Sequence, residues 1–220
     1  LSPFAAPDSA AWHLAKILAT ALTANDAPEI PTKFGFATDT STPVLQTAPA
    51  DIRLLPQPTG WIIQPEGGDW ALHAQNAPDA ASQALSLTRW FLKDGAPNGR
   101  GRMPDYLRRK PEPPAGAIPL PPSLFSKYPA DRAAEQPPLP PAPGPTPNGR
   151  LLGFAFGQIT AAQLAAIDAP LRLTPWRMLL VESPARPRIP GAIEAPDDPV
   201  LRTHACTGAH HSEGALYGSG

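Results

Sequence analysis

The stretch Thr203-His204-Ala205-Cys206-Thr207-Gly208-Ala209-His210-His211-Ser212-Glu213-Gly214 holds the only cysteine of the chain and three of its five histidines. Thiolate and imidazole are the donors that suit zinc or iron, so metal or electron chemistry would sit here. The spacing argues against a self-contained site. Neighbouring His210 and His211 cannot both face one ion from a regular strand or helix, and Cys206 lies too close to its histidines for any standard zinc pattern. Read locally, the histidine pair is solvated.

A second kind of chemistry is spread along the chain as cations on short strands. Lys33 lies in Ile30-Pro31-Thr32-Lys33-Phe34-Gly35-Phe36-Ala37, and Arg53 in Asp51-Ile52-Arg53-Leu54. Arg172 and Arg177 share the tract Leu171-Arg172-Leu173-Thr174-Pro175-Trp176-Arg177-Met178-Leu179-Leu180, whose alternation puts Arg172, Thr174 and Trp176 on one face. Arginine is always charged and offers a planar fork for carboxylates. Several such cations would hold a polyanionic ligand through charge-assisted hydrogen bonds; taken singly, each reads as a surface cation. A further basic group, Arg100, Arg102, Arg108, Arg109 and Lys110, reads as a solvated loop.

The elements that must position these residues follow from periodicity. Residues 8–24 predict a helix with Leu14, Ile17, Leu18, Ala21 and Leu22 on one face and Asp8 or Ser9 as cap. Period-two tracts at Phe34 and Phe36, Ile52 and Leu54, Trp61–Gln64 and Trp70–His73 predict a small sheet, with turns at Gly60 and Gly67-Gly68. A second helix is expected over about 79–93, directing Ala81, Ala84, Leu85, Thr88 and Leu92 inward. From 97 to 148 proline, glycine and alanine dominate, and Pro137-Pro138-Leu139-Pro140-Pro141 favours extended polyproline, so this stretch reads as a spacer. A strand at Leu151–Phe156, a capping box at Thr160-Ala161-Ala162-Gln163 and a strand at Leu171–Val181 then form half of a ferredoxin-like sandwich. Half a sandwich leaves a sheet edge uncovered.

Composition narrows the classes of function. The 220 residues, 42% of them hydrophobic, can bury a core. A formal charge of -1 excludes the broad basic field that nucleic-acid binders use. No run of about 20 apolar residues would span a membrane. A single cysteine excludes a disulfide framework and fits a reducing cytoplasm. The 33 prolines, roughly three times the usual share, gather in the middle of the chain. Leu1 opens the sequence and Gly220 closes it soon after the cysteine tract, which reads as a piece of a longer protein.

Three tracts, PTKFGFATD followed by DIRL, then LRLTPWRMLL, then Leu201 through HACTGA, resemble in order precorrin-3B synthase of aerobic cobalamin biosynthesis, a member of the sulfite and nitrite reductase superfamily. The resemblance covers nearly all of the chain outside the proline-rich stretch. It implies an α+β, sulfite/nitrite reductase-like fold with a ferredoxin-like half-domain and parts of two α/β lobes that bind tetrapyrrole and cluster. On that plan residues 1–95 are the lobe of the first repeat, 96–149 a proline-rich linker, 150–185 the ferredoxin-like half of the second repeat, and 186–220 the start of the second lobe. The first ferredoxin-like half and most of the last lobe are then missing.

The implied activity is a monooxygenase that converts precorrin-3A to precorrin-3B by hydroxylation at C20 and lactone formation, using O2 and an electron donor. Lys33, Arg53, Arg172 and Arg177 are the implied substrate-binding cations, and Cys206 the implied [4Fe-4S] ligand. Here the chain departs from the family: Ser212 stands where the second cysteine is expected. A cubane cluster needs about four thiolates, so one cysteine is expected not to support it; non-haem iron is the remaining cofactor expectation. The other readings are a non-catalytic tetrapyrrole- or metal-binding relative and a sulfite or nitrite reductase.

Overall fold

A computed structural model describes residues 1–120, 141–183 and 189–196. It divides into two compact units, Leu1–Pro137 and Pro138–Gly220. Among the described residues the fold is α+β, with two sheets and four helices. No helix among them is long and apolar enough to cross a membrane.

The first unit begins with helix α1, Ala10–Leu22, whose N-cap Ser9 accepts a hydrogen bond from the Trp12 N–H. Ala11, Leu14 and Leu18 form its buried stripe, with Ile17 and Leu22 partly covered. Five strands follow in a sheet ordered as in the sequence: β1 (Phe36–Thr38), β2 (Ile52–Gln57), β3 (Gly60–Pro65), β4 (Trp70–Ala74) and β5 (Ile118–Pro119). Strand β1 runs parallel to β2, and the remaining pairings are antiparallel. The β2–β3 turn requires glycine at position 60: its φ is 122°, and a Cβ there would lie 2.1 Å from the Ala74 carbonyl oxygen.

Helix α2, Ala77–Asp94, is capped by Asn76, which accepts from the Asp79 N–H at 3.0 Å. It covers the sheet with Ala80, Ala81, Ala84, Leu87, Thr88 and Phe91. The sequence expectation had the right stripe but placed Leu85 and Leu92 inward; both are only partly buried, and Leu87 and Phe91 take the deepest positions.

Residues 97–120 correct the spacer expectation. The short helix α3, Met103–Leu107, buries Met103 and Tyr106, and β5 pairs with β4. The rings form a continuous series of contacts, Phe36 to Phe34, Phe34 to Phe91, Phe91 to Tyr106, Tyr106 to Trp90 and Trp90 to Trp70, with centroids 5.0–5.6 Å apart. Edge and tilted ring contacts add to the burial itself. A proline- and arginine-rich composition therefore hid two apolar anchors that fasten this segment to the core.

In the second unit, β7 (Gly149–Phe154) is central. It pairs with β9 (Met178–Val181) on one side, and on the other with β6 (Gly144–Thr146) along its first half and β10 (Ala192–Ile193) along its second. Strand β8 (Leu171–Leu173) pairs with β9 at the end of the sheet. Helix α4, Ala161–Ala165, starts at the expected capping box: Gln163 N–H donates to Thr160 Oγ1, and Thr160 N–H donates to Gln163 Oε1. The register places Leu152, Phe154, Leu179 and Val181 on one face, where they form a core with Ile189; Leu151, Met178 and Leu180 are buried on the other. The expected single strand over 171–181 is instead a hairpin, because Thr174–Arg177 make a turn.

Candidate functional site

Of the four implied substrate cations, Lys33 and Arg53 lie in the first unit and Arg172 and Arg177 in the second. Their environments differ in ways that spacing could not show.

Lys33 is on no strand. It stands in the turn closed by the Phe34 N–H donating to the Pro31 carbonyl at 2.8 Å, and it is exposed. Among the described residues its ammonium has no ion-pair partner.

Arg53 is the opposite case. It points into the first unit with only 5% of its surface exposed. Its guanidinium pairs with Glu66 and donates to the carbonyls of Leu45 at 2.6 Å and Ala48 at 2.7 Å. The loop it holds is pinned from its other end by Asp39, which accepts from the N–H groups of Thr40, Val44 and Leu45 at 2.7–2.9 Å. Arg53 therefore shapes the 39–50 loop. Its donors are turned inward and engaged, unlike the exposed cation expected from the spacing.

Arg172 lies on β8 opposite Leu180, so it shares a face with Glu182 two residues further along, and the two form an ion pair. A second pair, Arg150 with Glu194 at 3.9 Å, stands at the same end of the sheet on the other face. An open hollow of about 440 Å³ between the β6–β7 turn and Glu182 is lined by Arg150 and Glu182. With each of these charges already facing an opposite one, the hollow has no surplus charge to attract an anion.

Arg177 is exposed and left-handed, with φ 58°, in the β8–β9 turn. Thr174 organises that turn: its hydroxyl donates to the Met178 carbonyl at 2.8 Å and accepts from the Met178 N–H at 3.3 Å. Trp176, expected beside Arg172 and Thr174, is instead buried. Among the described residues the Arg177 guanidinium has no carboxylate or carbonyl partner.

The basic group at 100–110 is largely engaged. Arg102 bonds Asp51, Arg108 pairs with Asp105, and Arg109 donates to the Asp94 carbonyl at 3.2 Å while lying 5.8 Å from the Tyr106 ring centroid. Cys206, Ser212 and the histidines at 204, 210 and 211 lie outside the described residues. Among those described, no group of three or more His, Cys, Asp or Glu side chains is placed to hold a metal ion. The residues that spacing missed are Asp39, Asp51, Glu66 and Glu182, the carboxylates that fix loops and arginines. Their only sequence signal was an acidic residue within a few positions of a strand boundary.

None of the protein-family models, curated proteins or solved structures compared with the chain matches it.

Proposed function

We propose that the chain is a precorrin-3B synthase-like protein of the sulfite/nitrite reductase fold, whose work is to bind a tetrapyrrole through its acidic side chains. In the full reaction the substrate is precorrin-3A, which O2 and an electron donor convert to precorrin-3B by C20 hydroxylation and lactone formation. The observation that carries the reading is that Lys33 and Arg177, both in the tracts that bear the resemblance, stand in turns with their side chains exposed and, among the described residues, unpaired. An exposed cation without an internal partner can form a charge-assisted hydrogen bond to a carboxylate without first breaking an ion pair.

The second reading, a non-catalytic tetrapyrrole-binding relative, is favoured by the donor count. One cysteine in 220 residues supplies one of the roughly four thiolates of a cubane cluster. The other ligands would have to come from outside these residues, so no step is routed through a cluster. The role left to this chain is to grip and orient the macrocycle.

The test is titration of the whole chain with uroporphyrin III, a porphyrin with acetate and propionate groups on every pyrrole ring, followed at its Soret band. A saturable shift that weakens as salt rises supports the reading, and an unchanged spectrum sinks it. Iron and acid-labile sulfide, measured after anaerobic reconstitution, then separate the two forms: about four irons per chain restores the redox enzyme, and none leaves the binding relative.

A further inference from the structure

Strand β8 closes one end of the second unit's sheet, and among the described residues only β9 pairs with it. The ladder shows which of its backbone groups are engaged. The Glu182 N–H donates to the Pro170 carbonyl at 2.8 Å and the Thr174 N–H to the Met178 carbonyl at 3.2 Å, with Arg172 opposite Leu180 between them. Bonded residues alternate with unbonded ones along an antiparallel pair, so the N–H and C=O groups of Leu171 and Leu173 point away from β9. Their side chains are open as well: they lie opposite Val181 and Leu179 on the core face, yet are 37% and 80% exposed. Open donors, open acceptors and two exposed leucines make an edge that templates another strand. Prolines at 170 and 175 confine it to this short window. The two ends of the edge carry opposite charges. Exposed Asp168 precedes the strand, and exposed Arg177 follows it in the β8–β9 turn, its stem against Gly157, where a Cβ would lie 2.8 Å from the Arg177 Cβ. The ion pairs described in this unit, Arg150 with Glu194 and Arg172 with Glu182, use neither.

We infer that β8 is the contact between two copies of this chain, paired antiparallel about a two-fold axis at Arg172. In that register Leu171 exchanges backbone hydrogen bonds with the copy's Leu173, and Leu173 with the copy's Leu171, so every open group of both strands is used. A shift of two residues one way would set Leu171 against the copy's Pro175, which has no N–H; the opposite shift would set Leu173 against the copy's Ala169, outside the strand. The leucines of the two edges meet on the core face as cross-strand pairs. Antiparallel order brings each Asp168 to the Arg177 end of the other copy, whereas parallel order would lay like charges side by side. Arg172 meets its counterpart across the axis on the opposite face, and Glu182 neutralises each of them. A two-fold contact requires this self-complementarity. The inference is independent of the tetrapyrrole reading.

The experiment is sedimentation of the whole chain over a wide range of concentration at low ionic strength. The contact is small, so a weak dimer that grows with concentration is expected. Leu173→Lys puts a charge on the open edge; because the axis uses each residue twice, it is expected to weaken dimerisation by about tenfold. Leu173 is exposed, so this variant keeps the fold, which circular dichroism checks. Asp168→Lys and Arg177→Asp, the latter introducing a residue that tolerates left-handed backbone, each set like charges together and are expected to weaken dimerisation by about threefold. Mixed with each other, these two variants restore opposite charges at both ends and recover the dimer, an effect that fades as salt rises. If the wild type stays monomeric at every concentration, or if Leu173→Lys dimerises as tightly, the inference is overturned. If the leucine variant dissociates but the mixture gains nothing over its parts, the antiparallel two-fold arrangement is overturned.

Discussion

Arg102 Nε lies 2.9 and 3.1 Å from the two carboxylate oxygens of Asp51, a residue 51 positions earlier in the chain. The same fully buried carboxylate accepts from the Gly35 N–H at 2.9 Å and the Met103 N–H at 2.8 Å. Asp51 thus ties the approach to β1, the start of β2 and the start of α3 at one point. Asp51→Ala strands two backbone donors and a cation, and is expected to cost about 3 kcal/mol in denaturant unfolding. Arg102→Ala should cost about 1 kcal/mol, because that side chain is partly in solvent and water can replace it. Equal losses for the two would show that the backbone donors carry nothing.

The Arg53–Glu66 pair is buried on both sides. Removing one partner leaves an uncompensated charge, so Glu66→Ala is expected to destabilise by about 3–5 kcal/mol. Arg53→Met combined with Glu66→Leu should recover part of that loss, the remainder being the Leu45 and Ala48 carbonyls that Arg53 satisfies. A double-mutant cycle measures the coupling. Fully additive losses would mean that the guanidinium serves the loop carbonyls and not the carboxylate.

What the sequence showed and what it hid divide along physical lines. Elements with a strong local signal were legible: the α1 stripe around Leu14 and Leu18, the Thr160–Gln163 capping box, and the alternation at Ile52 and Leu54. The segment around Met103 and Tyr106 was not, because two buried anchors among prolines and arginines have no period to read. Arg53 and Arg177 looked alike as cations on strands. One is buried against Glu66 and the other exposed on a turn, a difference made by the 39–50 loop and by Gly157, both remote in sequence. Charge type is written in the sequence, but its availability is a property of the packing.

Burial pushes the Tyr106 phenol above its ordinary pKa, the Asp94 carboxylate adds to the rise, and the Arg109 guanidinium opposes it. A folded-state pKa above the unfolded one means that the native state keeps its proton longer. The contribution is complete below about pH 10, the unfolded value, and is lost as pH rises through the folded value. Stability measured by urea unfolding should therefore decline above about pH 10, and Tyr106→Phe should make that decline shallower. An unchanged alkaline limb in the variant would assign the loss to other groups.

The β8–β9 turn depends on one hydroxyl. Thr174 Oγ1 donates to the Met178 carbonyl at 2.8 Å and accepts from the N–H groups of Met178 at 3.3 Å and Trp176 at 3.4 Å, while the Thr174 N–H reaches the same Met178 carbonyl at 3.2 Å. These bonds close the loop in which Arg177 is held left-handed. Thr174→Val keeps the volume and the branched Cβ but removes every bond made by the hydroxyl, and is expected to cost about 1–2 kcal/mol. Thr174→Ser keeps the oxygen and should lie close to wild type. The two readouts separate structure from function. If the turn is what presents Arg177, the valine variant loses uroporphyrin affinity as well as stability, and the serine variant retains both. A valine variant that melts lower yet binds unchanged would show that Arg177 finds the ligand without the turn.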